Sequence, residues 1–372
     1  MNVFVKLFAE LNLGDDLFLK ILIDRYPNIK FILRARDEYK IIFGQNNNLE
    51  IRQDLFVRRT KSISYKVASV LRRTFYPSSY KNLLVKLIKH QYLNDFESSD
   101  VFVSIGGSIF IQPKTLPYYT DVEYYNIVGR EFQHIFFLGC NFGPYTDTHY
   151  LNNYRQIFSK ATDVCFRDEK SWKLFSDLDN VRYRPDIVFG LEFPKSSSKE
   201  KSVGFSVVSA RNGINKDAYL KKYAEIVSSY QKAGYEIYFF SFCKKQGDED
   251  TIEEIIKLLV DDNNINRVYY NGKIDEFVSI YSSIKKMYCG RFHSMILSMI
   301  FDQEIYPIAY SKKMNNVLND IGYEGEIIEM EDFHLINPEN LDSQISRNSY
   351  DIENVKRESI NQFEKLDLIL KR

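Results

Sequence analysis

The sequence carries no charge excess: 50 Lys and Arg stand against 50 Asp and Glu in 372 residues. That balance gives no general pull toward nucleic acid, so any basic site has to be local. Cysteine is scarce. Cys140, Cys165, Cys243 and Cys289 include no C-x-x-C pair, which argues against a disulfide framework or a thiolate zinc site. Three of the four end or follow apolar runs and read as reduced residues on buried strands. The five histidines, at 90, 134, 149, 293 and 334, show no ligand spacing, so no metal is expected. No apolar run approaches the roughly 20 residues needed to span a bilayer. Met1–Lys6 lacks a basic region followed by a long apolar core, so no signal peptide is expected and the place expected is the cytoplasm.

What is present is a chain with 44% hydrophobic residues, enough for more than one core and too many for disorder. Its length makes two domains the natural division. Short apolar runs alternate with helical patterns. Strands are expected at Val3–Ala9, Ile29–Leu33, Val101–Ile105, Ile135–Leu138, Asp163–Phe166 and Val181–Tyr183. The polar stretch Pro194–Lys201 has nothing to bury and reads as an interdomain linker. Beyond it, strands at Val203–Ser209, Tyr235–Phe240, Arg267–Tyr270, Lys286–Cys289 and Glu304–Ile308 alternate with helices. Those helices are expected near 216–233, 248–259, 275–283 and 294–301. The alternation predicts an α/β protein with two Rossmann-like domains facing across a cleft, at residues 1–193 and 202–345. A helical pattern at 350–372 is expected to pack back on the first domain.

One segment interrupts the first domain. From Ile51 to His90 there are ten basic residues against the single acid Asp54, interleaved with aliphatic and aromatic side chains. Such a segment suits a solvated helix pair with an ordinary buried face, or an anionic membrane surface at the inner face of the membrane. The insertion, about 51–96, is assigned to the acceptor side.

The chemistry concentrates at Gly290-Arg291-Phe292-His293-Ser294, a strand-turn-helix junction. It sets a fixed cation and a titratable imidazole beside the amide groups of a helix start, where an anion can bind and a proton can move. Arg291 as a structural ion-pair partner, and His293 as a helix-start residue, are the plain alternatives. Arg211, after the first strand of the second domain, is a second candidate clamp for carboxylate or phosphate. Gly106-Gly107-Ser108 ends a buried strand and can bring backbone amides close to a ligand, or can be a tight turn. Asn12-x-Gly14-Asp15 opens the first helix, where Asp15 reads as a cap or a site residue.

In that order, Asn12-x-Gly14-Asp15, Gly106-Gly107-Ser108, Gly139 to Gly143-Pro144, Arg167-Asp168, Pro185-Asp186, Ser209-x-Arg211 and Gly290-Arg291-x-His293-Ser294 resemble the polysaccharide pyruvyl transferase family over roughly residues 10–310. Phe292 stands where the family pattern usually has leucine. The strand ending at Cys243 lacks an expected proline. The resemblance implies a GT-B-like pair of domains. It further implies transfer of a pyruvyl group from phosphoenolpyruvate to a sugar of a cell-surface polysaccharide precursor, lipid-linked or not, as a cyclic ketal. On that reading His293 protonates the donor's methylene. Arg211 and Arg291 hold its phosphate and carboxylate, Ser294 donates to phosphate, and Asn12, Asp15, Gly106, Gly107 and Ser108 form acceptor or loop contacts. No cofactor beyond that co-substrate is implied. A nucleotide-sugar glycosyltransferase of the same architecture and a non-catalytic glycan-assembly protein are the rival readings.

Overall fold

The computed structural model describes residues 1–54, 77–113, 119–194, 196–197, 199–210, 213–262, 264–337 and 350–371. They form two compact units. Unit 1 comprises Met1–Ala9, Leu22–Arg184 and Asn361–Arg372; unit 2 comprises Glu10–Ile21 and Pro185–Ile360.

Unit 1 is built on β1 (Asn2–Lys6), β2 (Lys30–Ala35), β3 (Leu49–Gln53), β4 (Val101–Ile105), β5 (His134–Cys140), β6 (Asp163–Phe166) and β7 (Val181–Tyr183). All pair in parallel, in the order β3-β2-β1-β4-β5-β6-β7. The chain runs through α1 (Leu13–Arg25), α2 (Glu38–Phe43), α3 (Pro77–Glu97), α4 (Tyr119–Glu131), α5 (Thr148–Phe158) and α6 (Glu169–Lys173) between these strands. A parallel sheet covered on both faces needs strands apolar on both sides, and β4, Val-Phe-Val-Ser-Ile, is buried at every position. Its neighbours in the core are largely aromatic: Phe102, Phe137 and Phe158 are fully buried and meet edge to face.

Unit 2 repeats the plan with β8 (Lys199–Ser206), β9 (Glu236–Ser241), β10 (Ile265–Tyr269), β11 (Ile284–Cys289), β12 (Glu304–Ala309) and β13 (Ile328–Glu329). The order is β10-β9-β8-β11-β12-β13, again parallel. Its helices include α7 (Lys216–Lys232), α8 (Asp248–Ile256), α9 (Ile274–Ser282), α10 (Phe292–Ile300) and α11 (Lys312–Asp320). The helix starts follow the local chemistry: Asn215 accepts from the Ala218 amide at 3.1 Å, and Asp147 from the His149 amide at 2.8 Å.

Three expectations shift. The polar stretch at 194–201 is partly strand, since β8 begins at Lys199. Backbone pairing needs no apolar side chain, and the Lys199 ammonium finds Glu236 at 3.0 Å. The passage from unit 1 to unit 2 lies instead between Arg184 and Pro185. The C-terminal pattern is two helices, α12 (Ile352–Ile360) in unit 2 and α13 (Glu364–Leu370) in unit 1, separated by a 3-10 turn at Asn361–Phe363. The strand expected to reach Ala9 stops at Lys6, where the Ala9 amide turns back to the Leu7 carbonyl. Of the basic segment, Leu49–Gln53 is strand and Pro77–Glu97 helix. Arg58, Arg59, Lys61, Lys66, Arg72 and Arg73 lie outside the described residues. No helix among the described residues is long and apolar enough to cross a membrane.

Candidate active site

In unit 2 the start of α1, the turn after β9 and the turn after β11 converge. The Leu13 amide donates to the Phe242 carbonyl at 3.1 Å. Asn12 caps α1, its Oδ1 accepting from the Gly14 amide at 3.1 Å, and Asp16 receives the Tyr270 hydroxyl at 2.7 Å. Asp15 sits in the first turn of α1, half-buried.

His293 enters this group from the first turn of α10. A methyl carbon placed on Gly14 would fall 1.8 Å from its Nδ1, so the imidazole lies directly on the helix backbone and only glycine leaves it room. The Phe18 ring meets the imidazole edge-on, with centroids 5.4 Å apart. Its Nε2 is 3.8 Å from Oδ2 of the fully buried Asp186, whose other oxygen accepts from the Val188 amide at 2.8 Å. The His293 side chain keeps 13% exposure, although its Nε2 is itself buried. An imidazole fixed on three sides, with a carboxylate beside one nitrogen, is equipped to carry a proton to a bound molecule.

Arg291 is placed differently from the expectation. Its guanidinium grips the buried Asp248 through Nε and Nη2 and Gln246 through Nη1. Burial by itself would lower the Arg291 pKa; the Asp248 carboxylate outweighs that and holds it above the ordinary arginine value. Asp248 also accepts from the Phe242 and Cys243 amides, each at 3.0 Å. The residue thus ties the turn after β11 to the turn after β9, the ion-pair role that the sequence also allowed.

Ser294 corrects the expectation outright. Its hydroxyl is fully buried, 2.6 Å from Ser206 Oγ and 2.8 Å from the Tyr281 hydroxyl. The Tyr281 hydroxyl also reaches Ser298 Oγ at 2.8 Å. Ser206 Oγ in turn accepts from the Gly290 and Arg291 amides at 3.1 and 3.2 Å. Ser294 therefore braces the turn from inside and does not face a ligand. Arg211 lies outside the described residues.

In unit 1, Gly106, Gly107 and Ser108 form the turn after β4. A methyl carbon on Gly107 would fall 2.4–2.5 Å from the Arg167 guanidinium, so glycine admits this buried cation against the backbone. Asn141 Oδ1 joins the two, accepting from Arg167 Nη2 at 2.8 Å and from Ser108 Oγ at 3.1 Å. Asp168 caps α6, accepting from the Ser171 amide at 2.9 Å. All four cysteines are buried and free. Burial pushes the Cys289 thiol up to about 11, and a neutral thiol is a poor nucleophile.

Sequence reasoning assigned no role to Asp186, Asp248 or Asn141. The Pro185-Asp186 pair was visible, but nothing in the order of residues points from it to His293. Asp248 reads as one acid among three opening α8, a pattern that helix polarity already explains.

The sequence model of the polysaccharide pyruvyl transferase family matches residues 12–312. The chain belongs to that family. Every segment carrying the resemblance lies within the matched span, and Arg291 and His293 stand at the start of α10. No curated protein sequence matches the chain. Solved structures similar in fold include UDP-GlcNAc 2-epimerase from Neisseria meningitidis bound to UDP-GlcNAc, with TM-score 0.58 and 10% identity, covering 100% of this chain and 99% of that one. S. aureus MnaA with UDP aligns with TM-score 0.59 and 10% identity, covering 99% and 97%. The epimerase from Methanocaldococcus jannaschii aligns with TM-score 0.58 and 9% identity, covering 96% and 98%. At such identities the likeness is one of fold: this pyruvyl transferase is an α/β protein with two Rossmann-like units of the GT-B kind.

Proposed function

We propose that the protein transfers the pyruvyl group of phosphoenolpyruvate to two hydroxyls of one sugar in a polysaccharide precursor, releasing phosphate and leaving a cyclic ketal. The observation that supports it most is the fixed imidazole of His293, seated on Gly14 beside the buried Asp186 carboxylate, in a chain of this family. In the reaction His293 delivers a proton to the donor's methylene, which becomes a methyl group. The adjoining carbon turns electrophilic and one sugar hydroxyl adds to it. The second hydroxyl forms its own C–O bond as the C–O bond to phosphate breaks, and phosphate leaves with that electron pair. Of the two hydroxyl protons, one restores His293 and the other leaves on phosphate. Asp186 is a positioning residue and the counter-charge for the imidazolium. With Arg291 engaged by Asp248, its part is to hold the turn that carries His293, and Arg211 remains the proposed cation for the donor.

The test is phosphate release from phosphoenolpyruvate with a panel of free and lipid-linked sugars. Acid catalysis by a single placed group contributes about 10²–10⁴-fold, so His293→Ala should lower turnover by that factor with the circular dichroism spectrum unchanged. Near-full activity in that variant would remove His293 from the chemistry.

A further inference from the structure

Unit 1 contains a cavity of about 260 Å³ that none of the motif residues line. It opens at the carboxyl ends of β1 and β2 and just past β3, where Lys6, Arg34 and Asp54 stand, and is closed by Tyr92 of α3 and by Asp121 and Tyr124 of α4. The sheet order reverses between β1 and β4, and a parallel sheet of this kind takes its ligands outside the carboxyl ends near such a reversal. The volume falls just under the roughly 300–1,000 Å³ typical of drug-sized ligands, which leaves room for one ring.

The lining is specific in its chemistry. Lys6 Nζ lies 4.1 Å from the centre of the Tyr124 ring and 3.6 Å from Asp121 Oδ1. Burial alone would push the Lys6 ammonium down; the Tyr125 hydroxyl and Asp121 outweigh it and keep the cation. The Arg34 guanidinium lies 5.5 Å from the centre of the Tyr92 ring and is bonded to Asp95 and to the Gln53 carbonyl. Asp54 accepts from Gln91 at 2.6 Å. Two cations against two carboxylates leave no surplus positive charge for a doubly anionic donor. Carboxylates that accept from hydroxyls, an ammonium that donates to ring oxygens, and aromatic side chains against which C–H faces pack together fit a neutral polyhydroxylated ring.

We propose that this cavity is the subsite for a single pyranose of the acceptor. The proposal rests on the sugar-acceptor reading above and narrows the acceptor side expected at about 51–96 to one cavity, which Asp54, Ile88 and Tyr92 of that segment line. It is tested without donor and without turnover, by saturation-transfer NMR on the full chain. The probes are the methyl glycosides of glucose, galactose, mannose and N-acetylglucosamine at millimolar concentration. At least one should receive saturation. Its affinity should fall about tenfold or more in Asp54→Asn/Asp121→Asn, with the circular dichroism spectrum unchanged, because each change removes a charged acceptor at a half-buried or exposed position. Lys6→Met is the second variant and should weaken the same glycoside. Absence of binding by every glycoside, unchanged binding in both variants, or displacement of the glycoside by inorganic phosphate would overturn the proposal. If phosphoenolpyruvate yields no phosphate with any sugar while the glycoside pattern holds, the pyruvyl reaction falls and the sugar subsite stands.

Discussion

Gly14 is under two demands that pull apart. As the second residue of α1 it weakens the helix by roughly 0.5–1 kcal/mol relative to alanine, yet a methyl group there would occupy the place of the His293 imidazole. Gly14→Ala should therefore lower thermal stability, since crowding a filled site costs about 1–3 kcal/mol and outweighs the helix gain, while displacing the ring and lowering turnover by at least about tenfold. A variant with full activity would show that the ring's seat on α1 is dispensable. His293 stood out in the sequence as a titratable group beside an arginine at a strand-to-helix turn, with a plain helix-start role open beside the catalytic one. Its partners did not, since Asp186 and Gly14 reach it only through folding. Ser294 misled for a geometric reason: Ser294 and Ser298 lie four residues apart, on one face of α10, and that face turns inward to Tyr281. Sequence proximity to a helix start says nothing about which way a side chain on it points.

At the scale of elements, strands with buried, largely apolar runs were readable nearly to the residue, as β4 and β6 are. β3 and the two-residue β13 escaped because their burial is partial and no run announces them. The C-terminal helices were readable as pattern but not as attachment. α13 is held to unit 1 by Asp367, which accepts from Arg25 Nε at 3.1 Å and Nη2 at 2.5 Å and from the Tyr26 hydroxyl at 2.7 Å. Burial would push the Asp367 carboxyl up; Arg25 and Tyr26 outweigh it, and its pKa lies below the ordinary aspartate value. A depressed carboxyl pKa stabilises the fold fully above the unfolded value near 4 and loses that contribution as pH falls through the folded value. The pair is partly exposed, so about 1 kcal/mol is the scale. Thermal melts should show Asp367→Asn less stable than the parent at pH 7, with the gap closing below about pH 4; a gap independent of pH would mean that packing and not charge holds α13.

Over the whole molecule, two αβ blocks were evident from alternation alone, but not the way the chain shares itself between them. Unit 1 is completed by its last residues. Gln362, fully buried, accepts from the Gly139 amide at 3.0 Å and donates to the Arg184 carbonyl at 2.9 Å. Arg182 bonds the Asn361 and Gln362 carbonyls. Deleting residues 361–372 leaves a buried amide and a half-buried guanidinium without these acceptors. At about 1–3 kcal/mol for each group left unsatisfied, the melting temperature of unit 1 should drop by on the order of 10 °C, read as a separate low-temperature transition in calorimetry. A single unshifted transition would show the tail to be ornamental.

That arrangement has a consequence during synthesis. The strands of unit 1 leave the ribosome first, but the glutamine that satisfies β5 emerges only after all of 185–360 has been made, a delay of on the order of ten to forty seconds at ordinary translation rates. For that interval the nascent first sheet waits with an open seam, and the unit made before the other is sealed after it.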